Sequence, residues 1–139
     1  DTTLQSNIDA EAAARVAADD VLTAKLDKAR TESAAAGVTA ATVVDSVNAL
    51  NVGAVKWMVR AVGTGVDAGK TVAFEVFALN DSNGTTVTDA DYTVYAKLRL
   101  GGTIAGLDVT VEIETGNMVL KVASTNGVNV KAVREIIEA

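Results

Sequence analysis

The 139 residues contain no cysteine, no histidine and no proline, and aromatic residues make up only 4% of them. Without Cys there is neither a disulfide nor a thiolate metal ligand. Without His, the commonest metal ligand and the commonest general base are both missing. One Trp, two Tyr and two Phe leave few bulky anchors for a core. No apolar run approaches the ~18 residues of a membrane span, and no charged-then-apolar leader is visible. A formal net charge of −6 opposes binding to a nucleic-acid backbone or an anionic membrane. The expectation is a protein with no cofactor, no metal, no nucleic-acid partner and no membrane partner. The chain begins at Asp1 rather than Met, and so is expected to be a processed product or a fragment.

What is present is alanine, followed by short apolar alternations. Residues 1 to about 36 are mostly good helix formers, with no Gly until Gly37. At ~100° per residue, one face collects Leu4, Ile8, Glu11, Arg15, Ala18, Leu22, Leu26, Ala29, Ser33 and Ala36. Leu4 and Ile8 recur as Leu22 and Leu26, and Asp9 recurs as Asp27. That offset is about five turns at ~3.6 residues per turn, so the stripe runs nearly parallel to the axis. The stripe is narrow, and one such helix buries too little to offset roughly 1–2 kcal/mol of backbone entropy per residue. Packing against parallel copies resolves this, which makes Leu4, Ile8, Glu11, Arg15, Ala18, Leu22, Leu26 and Ala29 the expected oligomer interface. Glu11 and Arg15, at i,i+4, either bridge within or between chains in the seam or sit at a splayed edge in water.

Residues 37 to 53, "GVTAATVVDSVNALNVG", suggest a short helical neck: Gly37 stops the first helix, Thr39 caps a second, and Gly53 closes it. From residue 54 the apolar period changes to two. "AVKWMVRAV", "TVAFEVFAL", "YTVYAKLRL", "LDVTVEIE" and "MVLKVAS" read as strands, with "VNVKAVREII" as a sixth that would also fit a helix. Leu107, Val109, Val111 and Ile113 are expected to face inward, as are Tyr92, Val94, Ala96, Leu98 and Leu100. "ETGNM" signals a hairpin, with Gly116 and Asn117 accommodating φ > 0. Short strands between Gly/Asp/Asn turns indicate a small antiparallel β-sandwich over residues 54–139. Trp57 alternates with Val55 and Val59, as a core anchor would; a sugar-stacking platform is the rival role.

Three tempting motifs do not hold. "GTGVDAGKT", Gly63 to Thr71, leaves one residue too few for a phosphate-binding loop and precedes a strand rather than a helix, so it reads as a flexible hairpin loop. Asp81, Asn83, Asp89 and Asp91 are oxygen donors, but Leu79 and Ala90 occupy positions where an EF-hand needs ligands. The same residues are ordinary turn formers. No spacing among Asp81, Asp89, Asp91 and Glu114 selects a catalytic carboxylate pair, so no enzymatic activity is expected.

The stretch "LQSNIDAEAAARVAADDVLTAKL" resembles the alanine-rich stalk repeats, of the form LQxxIDAExAAR, of bacteriophage tail fibres and related trimeric appendages. "VKWMVRAVG", "FEVFALND", "LDVTVEIETGNMVLKVAS" and "VKAVREII" are similar to a small β-sandwich domain of virion structural proteins. The resemblance supplies no functional residues. It implies an α+β protein: a helical stalk over residues 1–36 that forms a parallel, trimeric, coiled-coil-like bundle, a neck over 37–53, and an antiparallel β-sandwich head over 54–139. By this resemblance the chain is a virion structural protein, a segment of a homotrimeric tail fibre or similar appendage, in contact with other virion proteins. Host attachment would follow if the heads bind a surface glycan, with the loops at 63–70 and 80–91 as the contact edge. A bacterial cell-surface trimeric adhesin or lectin-like module is the alternative. Three copies are implied by the resemblance alone, since Ala-rich seams equally allow dimers or larger bundles.

Overall fold

The computed structural model describes the backbone of residues 2–29 and 31–139, and the side chains of residues 2–23 and 32–139. One helix, α1 (Thr2–Ala29), is followed by eight strands. These are β1 (Thr31–Val38), β2 (Thr42–Asn48), β3 (Val52–Gly63), β4 (Thr71–Asn80), β5 (Ala90–Leu100), β6 (Asp108–Glu114), β7 (Asn117–Ala123) and β8 (Val128–Glu138). They form a five-stranded sheet in the order β1-β8-β3-β4-β5 and a three-stranded sheet in the order β2-β7-β6. All pairings are antiparallel. The inner faces of the two sheets share one core, so the arrangement is sandwich-like.

This corrects the expected α+β class. The protein is mostly β with one N-terminal helix, and the single chain shows no coiled-coil stalk. The helix ends at Ala29, and both segments expected to extend or follow it are strands. Residues 38–47 carry Val38, Thr39, Thr42, Val43, Val44 and Val47, and β-branched side chains fit a half-buried pleat better than a helix. Residues 31–36 have good helical propensity, but β8 offers them an unpaired edge, which they fill from Thr31 opposite Arg134 to Ala35 opposite Val130. Tertiary pairing overrides the local preference. Gly37 does adopt a left-handed φ of 61°, yet it does so inside a bulge of β1, where its N–H donates to Asn129 Oδ1 at 2.8 Å. Gly53, expected to close a second helix, lies within β3.

The six strands expected beyond residue 54 all form, including β8 over the segment that also fitted a helix. The β6–β7 hairpin turns through Thr115 (φ 49°) and Gly116 (φ 77°), one residue earlier than the Gly116-Asn117 pair expected. Leu107, just before β6, and Val109, Val111 and Ile113 on it pack against the core as anticipated. Of the five β5 residues expected inward, Tyr92 and Val94 do so. Ala96 takes a φ of 53°, and the register to β4 slips between Glu75–Tyr95 and Ala73–Leu98. That bulge inverts the side-chain parity. Leu98 and Leu100 therefore emerge on the outer face, 73% and 74% exposed.

Trp57 is fully buried at the centre of the large sheet, in one core with Met118, Leu120 and Val122 of β7. Its indole N–H must find an acceptor there. Another bulge, between Val43 and Asp45 on β2, turns two consecutive side chains inward, Val44 and Asp45. The carboxylate of Asp45 accepts from Trp57 Nε1 (2.8 Å), Ser33 Oγ (2.9 Å), the backbone N of Ser46 (2.9 Å) and Arg134 Nη1 (2.8 Å). One group on the small sheet thus ties β1, β3 and β8 of the large one. Removing one member of such a buried pair typically costs about 3–5 kcal/mol. We expect Asp45→Ala to lower the unfolding free energy by about 3 kcal/mol and Asp45→Asn, which keeps an acceptor for the indole, by clearly less, both read from urea denaturation.

Candidate interaction surfaces

β3 and β4 run in opposite directions, so the loop after β3 and the loop after β4 lie at opposite ends of the sandwich. Residues 63–70 and 80–91 therefore do not form one contact edge, contrary to the expectation above.

The end that carries residues 63–70 is built on a second buried carboxylate, and the loop is structured rather than flexible. A short 3₁₀ turn, Gly65–Asp67, points Asp67 inward to 1% exposure. It accepts from Lys70 Nζ (2.6 Å), the backbone N of Ala105 (3.1 Å) and Asn126 Nδ2 (3.2 Å). Three loops are pinned by one side chain. The Lys70 ammonium, followed by the Asn126 and Ala105 donors, lowers the Asp67 pKa against the opposing effect of burial. A Cβ on Gly63 would collide with the Asp67 carbonyl oxygen, so only glycine fits where strand and turn touch. Lys70, which gave the segment its likeness to a phosphate loop, is thus engaged within the turn.

The opposite end gathers the β2–β3 turn, the 80–91 loop and the end of β8. Asn80 donates to the carbonyls of Val52 (2.6 Å) and Ala49 (3.3 Å), and Ser82 Oγ to that of Leu50 (3.0 Å). Asp81 accepts from the backbone N of Thr88 (2.8 Å) and Asp89 (3.0 Å) and from the Thr88 hydroxyl. Asn83 Oδ1 accepts from the backbone N of Thr85 and Thr86 at 2.9 Å. The oxygen donors weighed as cation ligands organise their own turn instead, and no group of three or more acidic residues disposed to hold a metal occurs among the described residues. Of the acids weighed as a catalytic pair, Asp81, Asp89 and Asp91 belong to this end, while Glu114 pairs with Lys121. Beside this loop a groove of about 530 Å³ is lined by Ser46, Asn48, Asn51, Gly84, Arg134 and Glu138, among others.

Two surfaces have little to do with these ends. The first is α1, every described side chain of which is exposed over residues 2–23. Leu4, Ile8 and Leu22 of the expected interface are 60%, 51% and 58% exposed. Glu11 and Arg15 form an ion pair at 2.5 Å within the one chain, and Ala18 is exposed. The side chains of Leu26 and Ala29 lie outside the described residues. Val16 and Val21 are exposed off the stripe. The second surface is the outer face of the large sheet, which presents Met58, Phe77, Leu79, Tyr95, Leu98, Leu100 and Ile137 to solvent. Reading the residues alone missed Asp45, Asp67 and Arg134. An acid amid the valines of "VVDSV" was the available signal for the first.

The fold thus belongs to the two-sheet antiparallel, sandwich-like class, here with an N-terminal helix. No protein family and no curated protein matches the chain. Among solved structures it is similar to the tailspike protein of Acinetobacter baumannii phage AM24, at 10% identity and a TM-score of 0.46, over 79% of this chain and 27% of that one. It is also similar to the tailspike protein of Acinetobacter phage vB_ApiP_P1, at 16% identity and a TM-score of 0.37, over 78% of this chain and 22% of the other. The chain spans about a quarter of the length of these tailspikes.

The Thr88 hydroxyl and the neighbouring amides hold the Asp81 carboxyl down to about 2, from an ordinary 3.8. With the folded value below the unfolded one, its contribution is complete above about pH 4 and is lost as pH falls through about 2. The Thr88 and Asp89 amides should stay protected from exchange at about pH 3 and lose protection nearer pH 1. In Asp81→Ala they should exchange quickly at every pH, as read by NMR.

Proposed function

We propose that this chain is a non-enzymatic structural module of a phage virion appendage, a homotrimer held by its N-terminal helices and able to present its bodies for host attachment. The exposed helix is the observation that carries this reading. An isolated helix is marginal in water even when rich in alanine, and most helical stability in proteins comes from packing. α1 runs for 28 residues and buries none of its described side chains over residues 2–23. Burying a Leu or Ile side chain contributes about 1.5–3 kcal/mol, so Leu4, Ile8 and Leu22 from several copies can supply what one copy lacks. Ala18 permits close approach, and the Glu11–Arg15 pair can exchange partners across the seam.

The likeness of the Leu4–Leu26 sequence to phage appendage repeats supports the virion setting and the number three. A non-enzymatic role is supported by the state of the buried acids, since Asp45 and Asp67 are both saturated by donors from their own fold. Three bodies on one axis would turn weak contacts into avidity wherever the geometry allows joint engagement.

In sedimentation equilibrium the full chain should show mass in multiples of three. Leu4→Glu with Leu22→Glu should abolish that multiple and lower the helical circular dichroism while leaving the strand signal. A chain that stays single at high concentration, or a variant that keeps the threefold mass, overturns the proposal. Immunogold labelling of purified virions tests the location.

A further inference from the structure

The outer face of the large sheet is ordered by its register into rows. Glu32, Val133, Met58, Glu75 and Tyr95 make one row, across β1, β8, β3, β4 and β5. The adjacent row is Ala34, Lys131, Arg60, Ala73 and Leu98. Acids stand in the first row and cations in the second. Leu100 lies beyond the cationic row; beyond the acidic one lie Lys56, which pairs with Glu75 of the same chain at 3.4 Å, and Glu135, together with the exposed apolar side chains of Phe77, Leu79 and Ile137. Between the rows the surface is concave, a hollow of about 500 Å³ floored by Ala73 and Ala96 and bordered by Met58, Leu98 and Val133.

We infer that this face is an interface with a second copy of the same chain, packed face to face about a two-fold axis. Self-complementarity is the argument. An axis lying across the strands, between the two rows, brings the acidic row of one copy over the cationic row of the other. Each strand then lies over its own counterpart: Glu75 stands over Ala73 of the opposite copy and reaches Arg60 one strand aside, ~4.8 Å away, Glu32 stands over Ala34 and reaches Lys131 in the same way, and Met58, over Arg60, borders the hollow beside Ala73. The same patch serves both copies, as a two-fold contact requires. The dimensions also suit it. Five strands ~4.8 Å apart and five outward rows ~6.8 Å apart make a face on the order of 800 Å², which is about what each partner contributes to a standard interface. The parity inversion at Ala96 is what places Leu98 and Leu100 here, on an edge strand, where uncovered leucines invite association. This contact is independent of the helices. Where helices gather copies about one axis, it joins two such groups.

Charge reversal in the full chain tests it. Arg60→Glu sets two carboxylates against each other across the contact, and Glu75→Arg sets two guanidinium groups against each other. Each variant alone should require at least about tenfold higher concentration to pair, since like charges facing across an interface oppose association. Mixing the two variants restores opposite charges across the contact, so the mixture should pair like the unmodified chain in native mass spectrometry, whereas a folding defect would not be rescued. Leu98→Asp should lose the pairing while keeping any threefold mass, and the chain carrying Leu4→Glu with Leu22→Glu should keep the pairing. Unimpaired single variants, or a mixture that does not pair, would overturn the proposal. Pairing lost in the helix variant instead would mean that a neighbour's helix covers the face, and would overturn it equally.

Discussion

The body of this protein depends on a carboxylate in an apolar place. Asp45 is 7% exposed, and the two sheets meet around it. A buried ion is tolerated only when its charge and lone pairs are met, and here an indole, a hydroxyl, an amide and a guanidinium meet them. Each donor comes from a different place in the chain, Ser33 on β1, Ser46 on β2, Trp57 on β3 and Arg134 on β8. Apolar contacts alone would let the sheets slide over a core made largely of Val and Ala. The directional bonds to Asp45 set their relative position. The helix–strand boundary is part of the same constraint, because Ser33 reaches Asp45 only if residues 31–38 form a strand.

The ends repeat the device on a smaller scale. Asp67 closes one end by holding three loops, and Asn80, Asp81 and Ser82 close the other by satisfying the backbone of adjacent turns. Both long loops thereby lose the adaptability that made them attractive as contact edges. What stays uncommitted is the helix and the outer face of the large sheet, and both display apolar side chains without covering them. The functional reading rests on these surfaces rather than on a cleft with reactive groups.

Legibility varied along the chain in a physically consistent way. Where alternation was clean and one face was buried, as on β3 and β6, inward residues could be named from the period of two. Where a bulge intervened, the period misled. Beyond Ala96 the rule placed Leu98 and Leu100 inside, because nothing local marks the slipped residue. Where the side chains were small, as in residues 31–36, local propensity pointed to helix while the free edge of β8 decided for strand. The opposition of the two long loops was implicit in the antiparallel connection of β3 and β4. The acids that build the ends were legible only as turn formers, since the groups they bind emerge only from the folded loops.

The residues by themselves determined a helical beginning, a strand-rich remainder, Trp57 as the anchor, and the lack of any Cys or His for redox or metal chemistry. These follow from local stereochemistry and composition, which act over a few neighbours. Only the tertiary structure decided where the helix ends, which way the leucines of β5 point, and which acids are buried. Those outcomes depend on hydrogen-bond partners as distant as 89 positions, as between Asp45 and Arg134. An edge awaiting a strand, or a carboxylate awaiting a guanidinium, exists only once the rest of the chain has come into place.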